Sequence, residues 1–540
     1  MRLSNQRFSL PVACLVVSMC GLPAAAQYSG GYPPASKAPT PKAQPLDAAA
    51  LSRQAAMVQR IDELLDEHRQ GLNWETAQAA SSPELMRRVY LDLTGRPPSG
   101  RQVLAFAETE SPDRFSVLVD QLLESENSAS HLATIWAGWL LPDENNDNPF
   151  LQRNIGLNQW LQERFEQNLR YDRLVADLLV ATGSPERGPT GFFVALGGQP
   201  EKIAAKTARV FMGVQLDCAE CHDHPFDDWS QQDFWGYAAY FAQISSPSPV
   251  PGMQQTAIVE DSNEGEVMLP DTDEVVPPKP LVETGLSGIS SGTRRQQLTL
   301  WLTARENPFL ARATVNRVWA QMFGQGLIEP IDDMRSIDMA THPELLSELS
   351  DYFQQSGYDL RNLFATLAKT RAYQLSTRHD AGDPPREAYA TMVSKPLTEA
   401  QMAQSIVQVA RQVSAQQVDA LRGQFEQQIG QLRGDAGAAK LGIVNALVTL
   451  HGNVVDGVSR EETSRLLKAL EAPFMTDEKR VRWMFLTTLC RPPTDRELEQ
   501  VLASVAQSVD KNADDDANEL AWRSDLLWAL LNSSEFAMTP

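Results

Sequence analysis

The sequence predicts a mainly α-helical protein of two to three domains, with a loop-rich insert that contains a small β-hairpin. Three observations predict it. Apolar residues recur at helical spacing from about residue 49 to 245 and again from about 293 onward. Between these blocks, residues 246–292 turn to Pro, Ser, Gly and acidic residues with only short β-like runs. A length of 540 residues is enough for more than one hydrophobic core.

Residues 1–26 read as an export signal. Arg2 and Arg7 are basic, Phe8 to Leu22 is apolar but short for a bilayer span, and Ala24-Ala25-Ala26 offers small residues for cleavage before Gln27. The expected location is therefore outside the cytoplasm, periplasmic or extracellular, with no integral membrane span beyond the signal. Residues 27–48 form a Pro/Ala-rich tether expected to be disordered.

The first helical domain is expected over 49–245. Met57, Ile61, Leu64 and Leu65 share a helix face, as do Leu85, Val89 and Leu93. The latter helix ends at Thr94-Gly95-Arg96-Pro97-Pro98, where glycine caps and proline cannot continue. Asn158 to Gln167 carries Trp160, Leu161 and Phe165 on one face, and Asp172 is a cap for the helix holding Val175, Leu178 and Leu179. Pro200 to Gly213 is an amphipathic helix. Ser230-Gln-Gln-Asp233 is a capping box that opens an aromatic helix.

In the insert, Thr256–Glu260, Glu266–Leu269 and Glu274–Val276 are the β-like runs. The C-terminal part starts as a helical block at 293–380. A helix carrying Val315, Val318, Trp319 and Met322 stops at Gly324, Thr341-His-Pro-Glu344 reads as a capping box, and Asp359 caps the helix of Leu360, Leu363 and Phe364. A helical remainder spans 381–540. Met484 to Pro493 echoes Val89 to Pro98, with Cys490 in the place of Gly95. One helix-end device is thus used twice, and Cys490 is a structural residue there.

Lys and Arg total 47 against 69 Asp and Glu, a net charge of −22. Such a chain repels nucleic acid and anionic membranes and suits a basic partner.

The chemistry concentrates at Cys218-Ala219-Glu220-Cys221-His222, the attachment signature of a c-type haem. With 5 Cys and 7 His in 540 residues, about 0.0006 chance matches are expected. Each thiol adds to a haem vinyl group, and His222 becomes the proximal iron ligand. Removal of the signal takes away Cys14 and Cys20 and leaves Cys218, Cys221 and Cys490, so this is no disulfide scaffold. Two alternatives stand beside one covalent haem c. Cys218, Cys221 and His224 have zinc-ligand spacing, with Asp217, Asp223, Asp227 or Asp228 to complete the set. The CxxC pair is otherwise a disulfide.

Phe226, Trp229, Phe234, Trp235, Tyr237, Tyr240 and Phe241 crowd around the motif and serve either as core or as an apolar wall for a porphyrin. Met253, Met268, Met334, Met339 and His342 are the distal-ligand candidates, although His342 reads first as a helix-start residue. Asp332-Asp333 with Arg335 and His342 forms either a catalytic or cation-binding cluster or a salt-bridged turn. No phosphate loop or nucleophile elbow is present in the sequence.

Phe211 to Phe226, Trp229 to Phe234 and Arg88 to Pro98 resemble the planctomycete cytochrome C-like domain, a domain of unknown function. Asn307-Pro-Phe309, Val315 to Trp319, Gly324-Gln-Gly326, Pro330 to Asp333, His342 to Leu346 and Asp525 to Phe536 resemble the C-terminal planctomycete domain that usually follows it. The resemblance implies an exported cytochrome-like protein in electron transfer, or a redox subunit with a redox partner protein. The competing reading is a partner-binding helical protein whose CxxCH loop is structural.

Overall fold

The structure is a computed structural model that describes residues 47–142, 155–184, 188–225, 227–245, 258–285, 291–410, 455, 459–460, 464–508 and 515–540. The export signal, nearly all of the tether, Phe226 and Met253 lie outside the described residues. The chain is mainly α, with nineteen α-helices and two small antiparallel strand pairs among the described residues. No helix among them is long and apolar enough to cross a membrane.

Helix α1 (Ala48–Gly71) starts at Asp47, whose carboxylate accepts from Ala50 N at 2.7 Å, and buries Met57, Ile61, Leu64 and Leu65. Helix α2 (Ser82–Thr94) starts with proline in its first turn, ends at Gly95 in the left-handed region (φ +66°), and is buried from Leu85 through Thr94. Gly95 is doubly required, because a Cβ there would lie 2.5 Å from His131 Nδ1. Then follow α3 (Gly100–Glu108), α4 (Arg114–Leu123), α5 (Glu126–Leu140), α6 (Ile155–Glu166), α7 (Tyr171–Leu179), α8 (Gly191–Ala195), α9 (Pro200–Thr207) and α10 (Gln231–Ala238). Trp136 of α5 is fully buried against Phe165, Tyr171 and Phe364.

In the insert, β1 (Val267–Met268) pairs with β2 (Val275–Val276) as a small hairpin, while Val259 makes only an isolated bridge to Gly183. Beyond it come α11 (Arg294–Leu302), α12 (Phe309–Phe323), α13 (Pro343–Gln355) and α14 (Leu360–Lys369). The chain continues through β3 (Lys395–Pro396) to α15 (Glu399–Ala410), α16 (Arg465–Leu470), α17 (Asp477–Thr488), α18 (Asp495–Ser508) and α19 (Asp515–Leu531), then β4 (Met538–Thr539), which pairs with β3.

Two caps differ from expectation. His342, not Thr341, is the N-cap of α13 and makes no side-chain capping bond. Asp172 lies inside the first turn of α7, where it pairs with Arg170 at 2.7 Å and still favours the helix N-terminus. The cap at Asp359 and the box at Ser230–Asp233 form as expected.

One apolar core runs from Met57 to Met392 and joins both sides of the insert. A second takes Leu91 of α2 together with residues from Leu397 to Phe536. The helix-end repeat is longer than the echo around Arg-Pro-Pro. Ser81 and Thr476 cap α2 and α17, Gly95 and Cys490 follow in the left-handed region, and Ser99 with Gln102 and Thr494 with Glu497 close equivalent capping pairs. The two copies meet where Gly100 abuts Trp483. Cys490 is fully buried, with its thiol between the Arg87 guanidinium and Pro98 O, each at 3.7 Å.

Asp92 of α2 is buried and accepts from Lys395 Nζ and from the Tyr373 hydroxyl, both at 2.8 Å. Burial pushes the Lys395 ammonium below its ordinary value, opposed by the Asp92 charge. Asp92→Ala leaves that cation uncompensated and is expected to cost about 3–5 kcal/mol in denaturant-unfolding free energy. A loss below about 1 kcal/mol refutes the dependence on this pair.

Candidate functional site

The segment that delivers the CxxCH motif is built as a stop. Helix α9 continues as a π turn over Ala208–Met212 and ends at Gly213 in the left-handed region (φ +67°). A Cβ on Gly213 would lie 2.6 Å from Met334 Sδ, and Met334 N donates to Gly213 O at 2.7 Å. Two more residues from beyond the insert, Arg317 and Asp332, grip the same stretch. Arg317 donates to Arg209 O at 2.6 Å. Asp332 accepts from Gln215 Nε2 at 2.8 Å and stands 3.6 Å from Arg209, which also pairs with Asp217 at 2.6 Å.

A 3-10 turn over Asp217–Glu220 then carries the motif. Cys218 lies in this turn, and Cys221 follows as its C-cap. Ala219 is fully buried and pins the turn, while Cys218 and Cys221 are exposed, unbonded thiols. His222 is exposed, and its Nδ1 lies 2.8 Å from Asp223 O. A carbonyl oxygen only accepts, so Nδ1 carries the proton in neutral His222 and the Nε2 lone pair is available. The loop is fixed from behind. Glu220 O accepts from Trp235 Nε1 at 3.0 Å and from Gln231 Nε2 at 3.2 Å, Asp223 accepts from Gln231 N at 2.9 Å, and His224 N donates to Trp229 O at 2.8 Å. Burial raises the Glu220 carboxyl, and the charges of Glu201 and Asp217 raise it further.

The thiols and the imidazole thus fit the attachment of a haem by their chemistry: two accessible nucleophiles on one turn and one ring nitrogen held ready by a backbone carbonyl. The zinc set of Cys218, Cys221 and His224 is not assembled, since among the described residues no three His, Cys, Asp or Glu side chains converge to hold a metal ion. Phe234, Tyr237 and Phe241 are fully buried, with the Tyr237 hydroxyl 3.2 Å from Thr207 Oγ1. They fill the core, because they occupy the inner face of α10 and the turn after it. Trp229 and Trp235 remain half-buried.

The distal candidates scatter. Met334 is buried against Gly213, Met268 is 56% exposed on the hairpin, and Met339 is 41% exposed. The Asp332–His342 cluster divides: Asp333 pairs with Arg335 at 3.1 Å as a salt-bridged turn, whereas His342 is buried with its ring 4.2 Å from that of His68 on α1. The sequence reading named Trp235 only as an aromatic of the core or wall and did not single out Arg209, Gln215 or Arg317 as positioning residues. Their partners lie up to 117 residues away, and only the Asp332 and Arg317 motifs hinted at them.

Burial, with the nearby His68 and Arg69 charges adding, lowers the His342 pKa from an ordinary 6.5 to about 3. The unfolded chain therefore protonates first as pH falls. The stability contributed by neutral His342 is complete above about pH 6.5 and is lost as pH falls toward 3, at about 1.36 kcal/mol per unit. Between pH 6.5 and 5 the wild type is expected to lose about 2 kcal/mol more unfolding free energy than His342→Phe. Parallel urea-unfolding series for the two proteins check this, and equal slopes refute it.

Two family models match the chain. Residues 60–246 match PSCyt2, described as a protein of unknown function (DUF1549), and residues 294–440 match PSD1, a protein of unknown function (DUF1553). No curated protein and no solved structure matches the chain. The helix end at Arg96-Pro97-Pro98 and the CxxCH loop fall in the first match, and the clamp residues Arg317, Asp332 and Met334 fall in the second. The chain thus carries a PSCyt2 domain match followed by a PSD1 domain match.

Proposed function

We propose that the protein is an exported, c-type-cytochrome-like electron-transfer protein or redox subunit that carries one covalent haem on Cys218 and Cys221 with His222 as proximal ligand. The observation that carries this reading is the His222 Nδ1 contact with Asp223 O beside two exposed, unbonded thiols. Bound haem supplies a one-electron couple. The protein's own residues do the rest. The 3-10 turn holds Cys218 and Cys221 follows it directly, both exposed, Ala219 anchors the turn, and the Asp223 carbonyl holds the tautomer that leaves the Nε2 lone pair free. Trp235 and Gln231 hold the loop backbone through Glu220 O.

Export is part of the proposal. It rests on the basic, apolar and small-residue run of residues 1–26 and on covalent haem attachment being an extracytoplasmic reaction.

Expression in a periplasm equipped with haem-attachment machinery tests the reading. A pyridine haemochrome spectrum and an intact mass increased by one haem after denaturation are expected. Cys218→Ser with Cys221→Ser abolishes the covalent haem, and His222→Ala changes the spectrum of what remains. A colourless wild-type protein, with or without zinc, refutes the proposal.

A further inference from the structure

Charge around the motif is one-sided. Between Arg209 and Lys279 the chain has thirteen Asp and Glu and no Lys or Arg. Four of these acids are neutralised: Asp217 by Arg209, Asp233 by Lys279, Asp261 by Arg295 and Glu266 by Arg294, at 2.6–2.8 Å. Glu264, Asp271, Asp273 and Glu274 are exposed around the β1–β2 hairpin and form no ion pair among the described residues.

The hairpin also shows an unspent apolar face. Val267 stands opposite Val276, and Met268 opposite Val275. Strand alternation sends each pair to one face. Val267 and Val276 are buried against Ala239 and Trp235. Met268 and Val275 point outward, 56% and 51% exposed. Trp235 connects this hairpin to the motif. Its ring packs against the inner valines while its Nε1 donates to Glu220 O, one residue before Cys221. Lys279 Nζ on Asp233 and Lys279 N on Gly236 O tie the outgoing strand to α10.

We propose that the outer face of this hairpin, with Met268 and Val275 inside a rim of Glu264, Asp271, Asp273 and Glu274, docks a basic redox partner protein beside Cys218–His222. That the partner is a redox protein rests on the haem reading; that it is basic rests on the surface alone. An apolar centre within a charged rim is the anatomy of a transient protein interface. Charge selects the occupant. A second copy of this chain brings its own acidic rim and net charge of −22, and nucleic acid and anionic membranes carry the same sign. Lys and Arg side chains complement the rim and lay their aliphatic stems over Met268 and Val275.

Titration calorimetry with a lysine-rich cytochrome c as the probe tests this at low and high salt. The variant D271N/D273N/E274Q is expected to bind about tenfold more weakly at low salt. M268S/V275S is expected to bind about threefold more weakly at either salt. The control E108Q/E110Q/D113N, an equal charge change on exposed acids elsewhere, is expected to shift affinity less than about twofold. Unchanged far-UV melting shows that each variant is folded. The same comparison on Cys218→Ser/Cys221→Ser separates the two proposals. Hairpin effects that persist there uphold the docking surface whatever becomes of the haem, while loss of electron exchange with the probe reports on the haem alone. Equal weakening by the hairpin and control triples, or no weakening by either, overturns the docking surface.

Discussion

Asp92 is the charge on which the rest of the molecule depends. Helix α2 is buried all round, yet it carries Arg87, Arg88 and Asp92 inside. A buried charge is tolerable only when its hydrogen-bonding capacity is filled. Asp92 is filled by Lys395 and Tyr373. Arg88 donates to Tyr373 O at 2.6 Å, Leu375 O at 2.8 Å and Pro540 O at 2.7 Å, and Arg87 donates to Phe536 O at 2.7 Å and Thr488 O at 3.2 Å. Apart from Glu84, which accepts from Arg88 one turn earlier at 3.1 Å, these partners lie hundreds of residues away in sequence. Once α2 is buried, the turn at 372–375, the β3 strand and the last residues have to arrive or the charges are orphaned. That requirement makes one body of α2 and the C-terminal helices.

The same logic recurs at smaller scale around the CxxCH loop. The loop itself is short and exposed and has little apolar surface with which to order itself. Its order comes from behind: Ala219 in the core, Trp235 and Gln231 on the Glu220 carbonyl, and the Arg209–Asp332–Gln215 and Gly213–Met334 contacts on the incoming chain. The PSD1 part of the chain thereby acts on the PSCyt2 motif. Through Arg317, Asp332 and Met334 it holds the stretch where the π turn ends and the 3-10 turn begins. Part of the second half of the chain thus braces the segment that leads into the motif.

Trp235 sits where motif, helix and hairpin meet. Its indole is half-buried, and it spends its apolar face on Val267 and Val276 and its one donor on the motif backbone. Burial raises the Glu220 carboxyl next to this junction, and the acidic Glu201 and Asp217 add to it. An exposed loop on an acidic protein, bordered by a small apolar face, is suited to brief encounters with a cationic partner, because steering acts at long range and the apolar contact only at the end.

Much of this was legible in the sequence. Helical periodicity marked α1, α2, α12 and α14, glycines marked the ends of α2 and α12, and capping residues marked α10 and α14, since these depend on neighbours within four residues. Thr341 and Asp172 misled, because a capping pattern says nothing about which way the chain enters a helix. The CxxCH spacing singled out Cys218, Cys221 and His222, three residues within five positions, because such a pattern is local. The aromatic residues after it were ambiguous, because an apolar wall for a ligand and an apolar core have the same composition. The Asp332–Asp333–Arg335–His342 run looked like one cluster and became three separate contacts. Local chemistry, namely which residues cap, turn and offer donors, was thus determined by the sequence itself. Which buried charge meets which partner, which side the aromatics face and what braces the motif were decided only by the tertiary structure, because burial and pairing across hundreds of residues are properties of the packed chain.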